Sequence, residues 1–199
     1  MSEYPTLAEL SVADPPRLWE ALGFTVISGQ VRLGDVRVIL GAEGSGIVGW
    51  AVSGVTHNVD GLPTTPARTP SQLNPVPHPN GATGIDHVVI TTPDFDRTAQ
   101  ALAEAGMPLK RIRDAGGFRQ GFRRLGPAIL ELVEAKTMPD GPARFWGLVV
   151  IVQSLEVLAE RLQNQLSDIK PAVQPGRHIA TLRPSAGLGQ PVAFMDPER

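Results

Sequence analysis

The sequence contains no cysteine. That removes disulfides, thiolate nucleophiles and Cys-built zinc or iron–sulfur sites. It also lacks any run of like charges. Lys and Arg are spread along the chain and the formal net charge is only −2, so nothing marks a nucleic-acid surface. No apolar run approaches the ~20 residues needed to span a bilayer. The opening Met1-Ser2-Glu3-Tyr4-Pro5 has neither the basic nor the apolar region of a secretion signal. Ser-His-Asp motifs, a P-loop and a metalloprotease helix are missing too. These absences set the expectation of a cytoplasmic protein with no nucleic-acid and no membrane partner.

What is present is a repeated order of elements. The length, 199 residues, suits one large domain or two small ones. Residues 6–12 read as a strand. Asp14 offers a helix N-cap, Pro15 and Pro16 suit the first turn, and Leu18, Trp19 and Leu22 form an apolar stripe that ends at Gly23. Strand-like runs follow at 24–28, 30–33 and 36–40, broken by Gly29 and Gly34. The unit is strand, helix, strand, strand, strand.

Gly44-Ser45-Gly46-Ile47-Val48-Gly49 is a formal match to the dinucleotide fingerprint. That fingerprint needs a helix after it, and residues 47–55 read as a strand, so the stretch is a turn. Residues 57–83 are rich in Pro, Asn, Thr and Gly. They read as a linker without helix or sheet between Pro63 and Pro79, since each proline fixes φ and removes a donor. His57 and His78 there read as solvated loop residues.

The unit then recurs twice. A strand opens at Ile85, and Pro93 and Asp94 start a helix carrying Phe95, Ala99, Leu102 and Ala103 on one stripe. Gly106 closes it, and strands are expected at 107–113, 118–125 and 128–135. The third copy has a strand at 144–152 and a Ser154-capped helix with Leu155, Leu158, Leu162 and Leu166. Strands at 172–174, 177–182 and 191–195 complete it. Ile85 to Ile90 lines up with Trp146 to Ile151. Residues from Ile47 onward begin a fourth unit that loses its helix to the proline-rich segment.

Gly84-Ile85-Asp86-His87-Val88-Val89-Ile90, with a Pro-Asp soon after, and Ala128-Ile129-Leu130-Glu131-Leu132-Val133-Glu134 resemble the first and fourth strands of a vicinal-oxygen-chelate module, the glyoxalase/bleomycin-resistance/dioxygenase fold. The resemblance is strongest from Gly84 to Pro197. It implies an α+β fold of paired βαβββ modules forming a cup-shaped mixed sheet. The division expected is a degenerate N-terminal part at 1–56, a linker at 57–83 and a module pair at 84–199.

The resemblance also implies a site. Metal-using members take one ligand from the first strand and one from the fourth strand of each module, and His and carboxylate suit a divalent metal. His87 and Glu131 match those positions and are the catalytic and metal candidates. The partner positions fall on Leu148 and near Phe194 or Met195, which bind no hard metal. The ligand set is half complete, so no cofactor is firmly implied beyond a weakly bound divalent metal. Alternation sets Glu131 with Ile129 and Val133 on one face and Glu134 with Leu130 and Leu132 on the other. Which face lines the cup stays open, and motif position favours Glu131. Arg111, Arg113, Arg119, Arg123 and Arg124 cluster in the following strands, with Arg177, His178 and Arg183 in the last module. Arg123 and His178 are the substrate-binding candidates.

The function implied is a glyoxalase-like protein that binds a small anionic or oxygen-rich molecule, a relative of lyases, isomerases or dioxygenases. The alternative is a non-catalytic sequestering protein of the bleomycin-resistance type. The partner is a small-molecule ligand, and a homodimer is admitted.

Overall fold

The computed structural model describes residues 4–67 and 74–197. In chain order these form β1 (Leu7–Val12), α1 (Pro16–Ala21), β2 (Val26–Ile27), β3 (Gln30–Leu33), β4 (Val36–Leu40), β5 (Ile47–Ser53) and β6 (Thr64–Ala67). The second half holds β7 (Ala82–Thr92), α2 (Phe95–Glu104), β8 (Arg111–Asp114), β9 (Arg119–Leu125) and β10 (Ala128–Glu134). It ends with β11 (Arg144–Val152), α3 (Leu155–Leu162), β12 (Lys170–Pro171), β13 (His178–Thr181) and β14 (Val192–Met195).

Two mixed sheets result. One has the order β2-β3-β4-β1-β5-β6, the other β12-β13-β14-β11-β7-β10-β9-β8. Within each unit the first strand pairs in parallel with the fourth, as β1 with β4, β7 with β10 and β11 with β14. The fold is thus α+β, built of βαβββ units. The helices start where local chemistry allows. Asp94 accepts the Arg97 N–H at 3.0 Å and caps α2, and Ser154 accepts the Val157 N–H at 3.2 Å and caps α3.

Asp14 does not cap α1. Its buried carboxylate is occupied by Trp19 Nε1 at 3.2 Å, the Gly189 N–H at 2.7 Å and Gln190 Nε2 at 2.7 Å. A tertiary docking between the two halves wins over the local cap.

The register fixes the symmetry. In the antiparallel pair β7–β11, Val88 faces Leu148. On either side the pairs Val89–Gly147 and His87–Val149 match, as do Ile90–Phe145 and Ile85–Val150, and Thr91–Arg144 and Gly84–Ile151. From Gly84 to Thr91 the pairing is symmetric about Val88–Leu148, with one extra residue in each strand, Asp86 in β7 and Trp146 in β11; a further shift at Thr83 lies beyond this span. Each is a β-bulge. Ile85 is therefore the counterpart of Phe145, one residue earlier than the repeat in the sequence suggests.

The N-terminal half obeys the same rule. Leu10 faces Trp50, flanked by Glu9–Ala51 and Ser11–Gly49, then Leu7–Val52 and Val12–Ile47. The Trp50 N–H donates to the Pro63 carbonyl at 3.1 Å, and the Leu148 N–H donates to the Pro191 carbonyl at 3.1 Å. So β5 and β6 stand where β11 and β14 stand, as first and fourth strands of a fourth unit. The helix and the two strands between them have no counterpart in the 54–63 connection.

This corrects the expectation for the proline-rich segment. Thr64–Ala67 is a strand, parallel to β5. Pro66 is tolerated because β6 is an edge strand whose other side has no ladder to feed. Residues 74–79 carry no regular structure, while 68–73 of the expected linker lie outside the described residues. His78 is not a solvated loop residue either. It is buried, accepting the Thr25 N–H on Nδ1 at 3.0 Å and holding the Arg32 carbonyl with Nε2 at 2.7 Å.

The two sheets share one core. Leu10, Trp19, Phe24 and Val38 of the first half join Leu102, Leu130, Leu158 and Phe194 of the second in a single buried cluster. Phe24 and Phe194 stack with ring centroids 6.2 Å apart, and Trp50 meets Phe145 edge-on at 5.3 Å. Burying a side chain such as Phe194 stabilises the fold by about 1.5–3 kcal/mol. Both sheets turn their apolar faces to this core. The other face of the eight-stranded sheet is left to form a cup.

Candidate functional site

The cup holds a cavity of about 620 Å³ lined by residues of β7, β8, β9, β10, β11 and β13, by Met195 of β14 and by residues 171–175. His87, Ile129 and Glu131 all line it, which settles the face of β10: the odd-numbered residues look in. Glu134 looks the other way and takes Arg119, with Nη2–Oε1 at 3.1 Å. His87 faces Ile129 across the parallel ladder, and Glu131 faces Val89. His87 and Glu131 are thus diagonal neighbours on one wall.

The bulge at Asp86 builds the histidine. In a regular strand consecutive side chains point to opposite faces. The extra residue breaks that alternation, and Asp86 lies beside His87 with Oδ2 2.5 Å from Nδ1. Oδ2 has no other partner among the described residues, and the short distance makes Asp86 the group that orients the ring. A nitrogen lone pair held against an anionic oxygen would be repelled, so Nδ1 carries the proton. Nε2 has no partner among the described residues. Arg177 anchors the carboxylate from behind, with Nη2 donating to Asp86 Oδ1 at 2.7 Å and Nε donating to the Asp196 carbonyl at 2.8 Å. Burial works to raise the Asp86 pKa. The contacts with His87 and Arg177 outweigh it and hold the carboxyl below the usual range.

Glu131 is tuned the other way. Its Oε1 accepts from Gln120 Nε2 at 2.8 Å, and Gln120 Oε1 accepts from Arg113 Nε at 2.7 Å. Burial pushes the Glu131 carboxyl above its ordinary range, against the opposing pull of His87 and Arg113. The Arg113 guanidinium lies over the Phe122 ring at 5.3 Å, and Phe122 meets His87 edge-on at 6.5 Å.

The other two candidates lie elsewhere. Arg123 sits between Gly121, which packs against Phe95 of α2, and buried Leu125. It therefore faces the helix side of the sheet, not the cup, and its Nε is buried without a partner among the described residues. Arg123 reaches the wrong face because strand parity, not proximity in sequence, decides orientation. His178 likewise alternates with Ile179, which lines the cavity. Its Nδ1 pairs with Asp196 Oδ2 at 3.0 Å. Asp86, Gln120, Phe122 and the anchoring role of Arg177 are not apparent from the sequence pattern. The position of Asp86 inside the strand motif, next to the histidine, is the signal that could have found it.

The pseudo-twofold decides what completes the set. The counterpart of His87 is Gly147, not Leu148, which points into the core. A Cβ on Gly147 would lie 2.4 Å from the Pro191 carbonyl oxygen, so no donor side chain fits there. Glu131 faces Val89, whose counterpart Val149 faces Ala193. The position expected at Phe194 or Met195 therefore belongs to Ala193. Among the described residues no group of three or more His, Cys, Asp or Glu could hold a metal ion. His87 and Glu131 alone do not fit a tightly held divalent metal, and one imidazole nitrogen is already turned to Asp86.

No family model and no curated protein matches the sequence. Among solved structures the chain is similar to methylmalonyl-CoA epimerase from Mycobacterium tuberculosis, with 19% identity, a TM-score of 0.50 and coverage of 60% of this chain and 91% of that one. It is also similar to Streptomyces coelicolor methylmalonyl-CoA epimerase in complex with 2-nitronate-propionyl-CoA, with 18% identity, a TM-score of 0.46 and coverage of 58% and 97%. At 19% identity the first likeness is one of architecture, and it agrees with the unit order and strand registers: the chain has the paired βαβββ fold of the vicinal-oxygen-chelate superfamily.

Proposed function

We propose that this chain is a glyoxalase-like protein that binds a small anionic or oxygen-rich molecule in the cup and moves a proton on it. One observation carries the reading. A histidine backed by Asp86, its Nε2 without a partner among the described residues, shares a cavity wall with a carboxyl group that burial holds above its usual range. An imidazole nitrogen open to the cavity beside a carboxyl whose charged form burial disfavours suits opposite roles in proton transfer.

His87 Nε2 takes the proton from a carbon next to a carbonyl, and the imidazolium is balanced by Asp86. Protonated Glu131, held by Gln120, gives its proton to the carbonyl oxygen. The product is an enol, and return of the protons in the other sense gives back or isomerises the ligand. Because the two groups are diagonal neighbours on one wall, they address adjacent ligand atoms from one side. No step is routed through a metal. Metal analysis of protein purified without added salts is expected to find a substoichiometric amount or none. Stoichiometric, chelator-resistant metal would mean donors beyond His87 and Glu131.

The test is hydrogen exchange in D₂O with a panel of small 2-oxo and 2-hydroxy acids, followed by proton NMR. The native chain should exchange the activated C–H of at least one member. His87→Ala and Glu131→Gln should lose the rate about 100-fold or more, the usual worth of general acid–base catalysis. A panel member that binds in the cup yet exchanges no faster than with His87→Ala would refute proton transfer and favour the sequestering role.

A further inference from the structure

The two arginines of β8 have no role in the proton chemistry. Arg111 and Arg113 are two residues apart and both line the cavity. Arg111 makes no side-chain hydrogen bond or ion pair among the described residues, and its side chain is exposed at the mouth. Arg113 is pinned through Nε to Gln120 at 2.7 Å and by its face over Phe122 at 5.3 Å. Its two terminal nitrogens have no hydrogen-bond or ion-pair partner among the described residues. Against these two guanidinium groups the cavity lining offers a single carboxyl, Glu131. Apart from Gln174, the remaining wall, including Val149, Ile179 and Met195, is apolar.

We propose that Arg111 and Arg113 form an anion clamp at the cup mouth that selects ligands bearing a carboxylate or phosphate remote from the reacting carbon. The inference rests on the cup being the ligand site, as in the function proposed above. Guanidinium forks match carboxylate and phosphate oxygens in a bidentate manner, and a pre-oriented fork loses little freedom on binding. The distance follows from the register. Arg111 faces Phe122, and Phe122 faces Glu131, so the three stand in one row across adjacent strands. Two inter-strand spacings separate Arg111 from Glu131, roughly 10 Å. The gripped anion is therefore not the group that exchanges its proton. The ligand is elongated, with its reactive carbonyl at His87 and Glu131 and its anionic tail several bonds away. The apolar wall suits the carbon chain between them.

The two sources of such an anion, a carboxylic acid and a phosphate ester, are separated by using glutarate and inorganic phosphate as probes. Each is titrated into the native chain and followed by ¹H–¹⁵N NMR. Saturable shifts at the amides of Arg111, Arg113 and Gln120 are expected with at least one of the two. The better-bound probe names the tail. Arg111→Gln and Arg113→Gln should each weaken it about tenfold or more, the loss of a hydrogen-bonded charge contact. The exposed Arg111 side chain makes no hydrogen bond or ion pair among the described residues, so its replacement leaves folding intact. Arg17→Gln, at an exposed α1 arginine outside the lining, should change binding less than twofold. Absence of saturable binding by both anions would overturn the clamp, as would an equal loss in Arg17→Gln. Binding is read here without turnover. Uptake of glutarate with no deuterium exchange on any panel member would refute the proton-transfer reading and leave the clamp standing, and exchange without anion uptake would refute the clamp alone.

Discussion

Replacing Arg177 by methionine tests the arrangement that positions His87. The Arg177 and Asp86 side chains are each 9% exposed and meet at 2.7 Å. Methionine keeps an unbranched stem and removes the charged guanidinium. The Asp86 carboxylate is then buried with only His87 beside it. Breaking a buried pair in this way costs about 3–5 kcal/mol. For a chain of this size each kcal/mol moves Tm by about 2–4 °C, so a fall of about 6–20 °C is expected. Asp86→Asn strands the Arg177 cation instead and should cost a similar amount. The two losses share one interaction, so the double variant should fall short of their sum by about 1–3 kcal/mol. Asp96→Asn removes an ion pair whose carboxylate is 80% exposed, and should cost under about 1 kcal/mol. Urea unfolding of the four variants measures all of this. The pH dependence carries a sign. Asp86 is held below the usual carboxyl range, so its contribution is whole above the ordinary aspartate range and fades as pH falls through the folded value. The gap between native and Arg177→Met should therefore narrow in acid. Additive losses, or a gap that widens in acid, would refute the buried triad.

Three further outcomes follow from the same geometry. Glu131 is held above its usual range, so the unfolded chain ionises first and stability should decline as pH rises past the ordinary glutamate range, by at most about 1.4 kcal/mol per pH unit. Glu131→Gln should remove that decline in a pH series of urea midpoints; an unchanged slope would assign it to another group. Gly147→Ala should destabilise by about 1–3 kcal/mol because its Cβ meets the Pro191 carbonyl at 2.4 Å, whereas Gly84→Ala, whose Cβ finds only Ile151 Cδ1 at 3.9 Å, should be neutral or mildly stabilising. His78→Ala should cost about 1–3 kcal/mol of stability, from the unpartnered Thr25 N–H and Arg32 carbonyl, and leave ligand affinity unchanged. His87→Ala should lower affinity in a calorimetric titration, and equal effects of the two substitutions on affinity would remove His87 from the site.

The unit order is legible in the sequence because it rests on local signals. Helical stripes, helix-ending glycines and β-rich runs recur at matching places, and caps at Asp94 and Ser154 need only residues three positions away. Parity along β10 by itself puts Glu131 on the same face as Ile129, since a strand repeats every two residues. Absence of cysteine excludes whole chemistries by composition alone.

Tertiary structure decided the rest. Parity gives two faces but not which one looks into the cup, and that choice depends on the packing of β10 between β7 and β9. It placed Arg123 behind the sheet and Arg111 and Arg113 in front. A bulge is invisible to a period-two pattern, because its extra residue is defined only by the partner strand. The Asp86 bulge therefore set the neighbour of His87, moved the symmetric position from Leu148 to Gly147, and joined Asp86 to Arg177, 91 residues away. Likewise, proline forbids a central strand but not an edge, so only the sheet order could show that Thr64–Ala67 completes a ladder. Local propensity named the elements; pairing across long loops, through hydrogen bonds that no local pattern encodes, assembled the site.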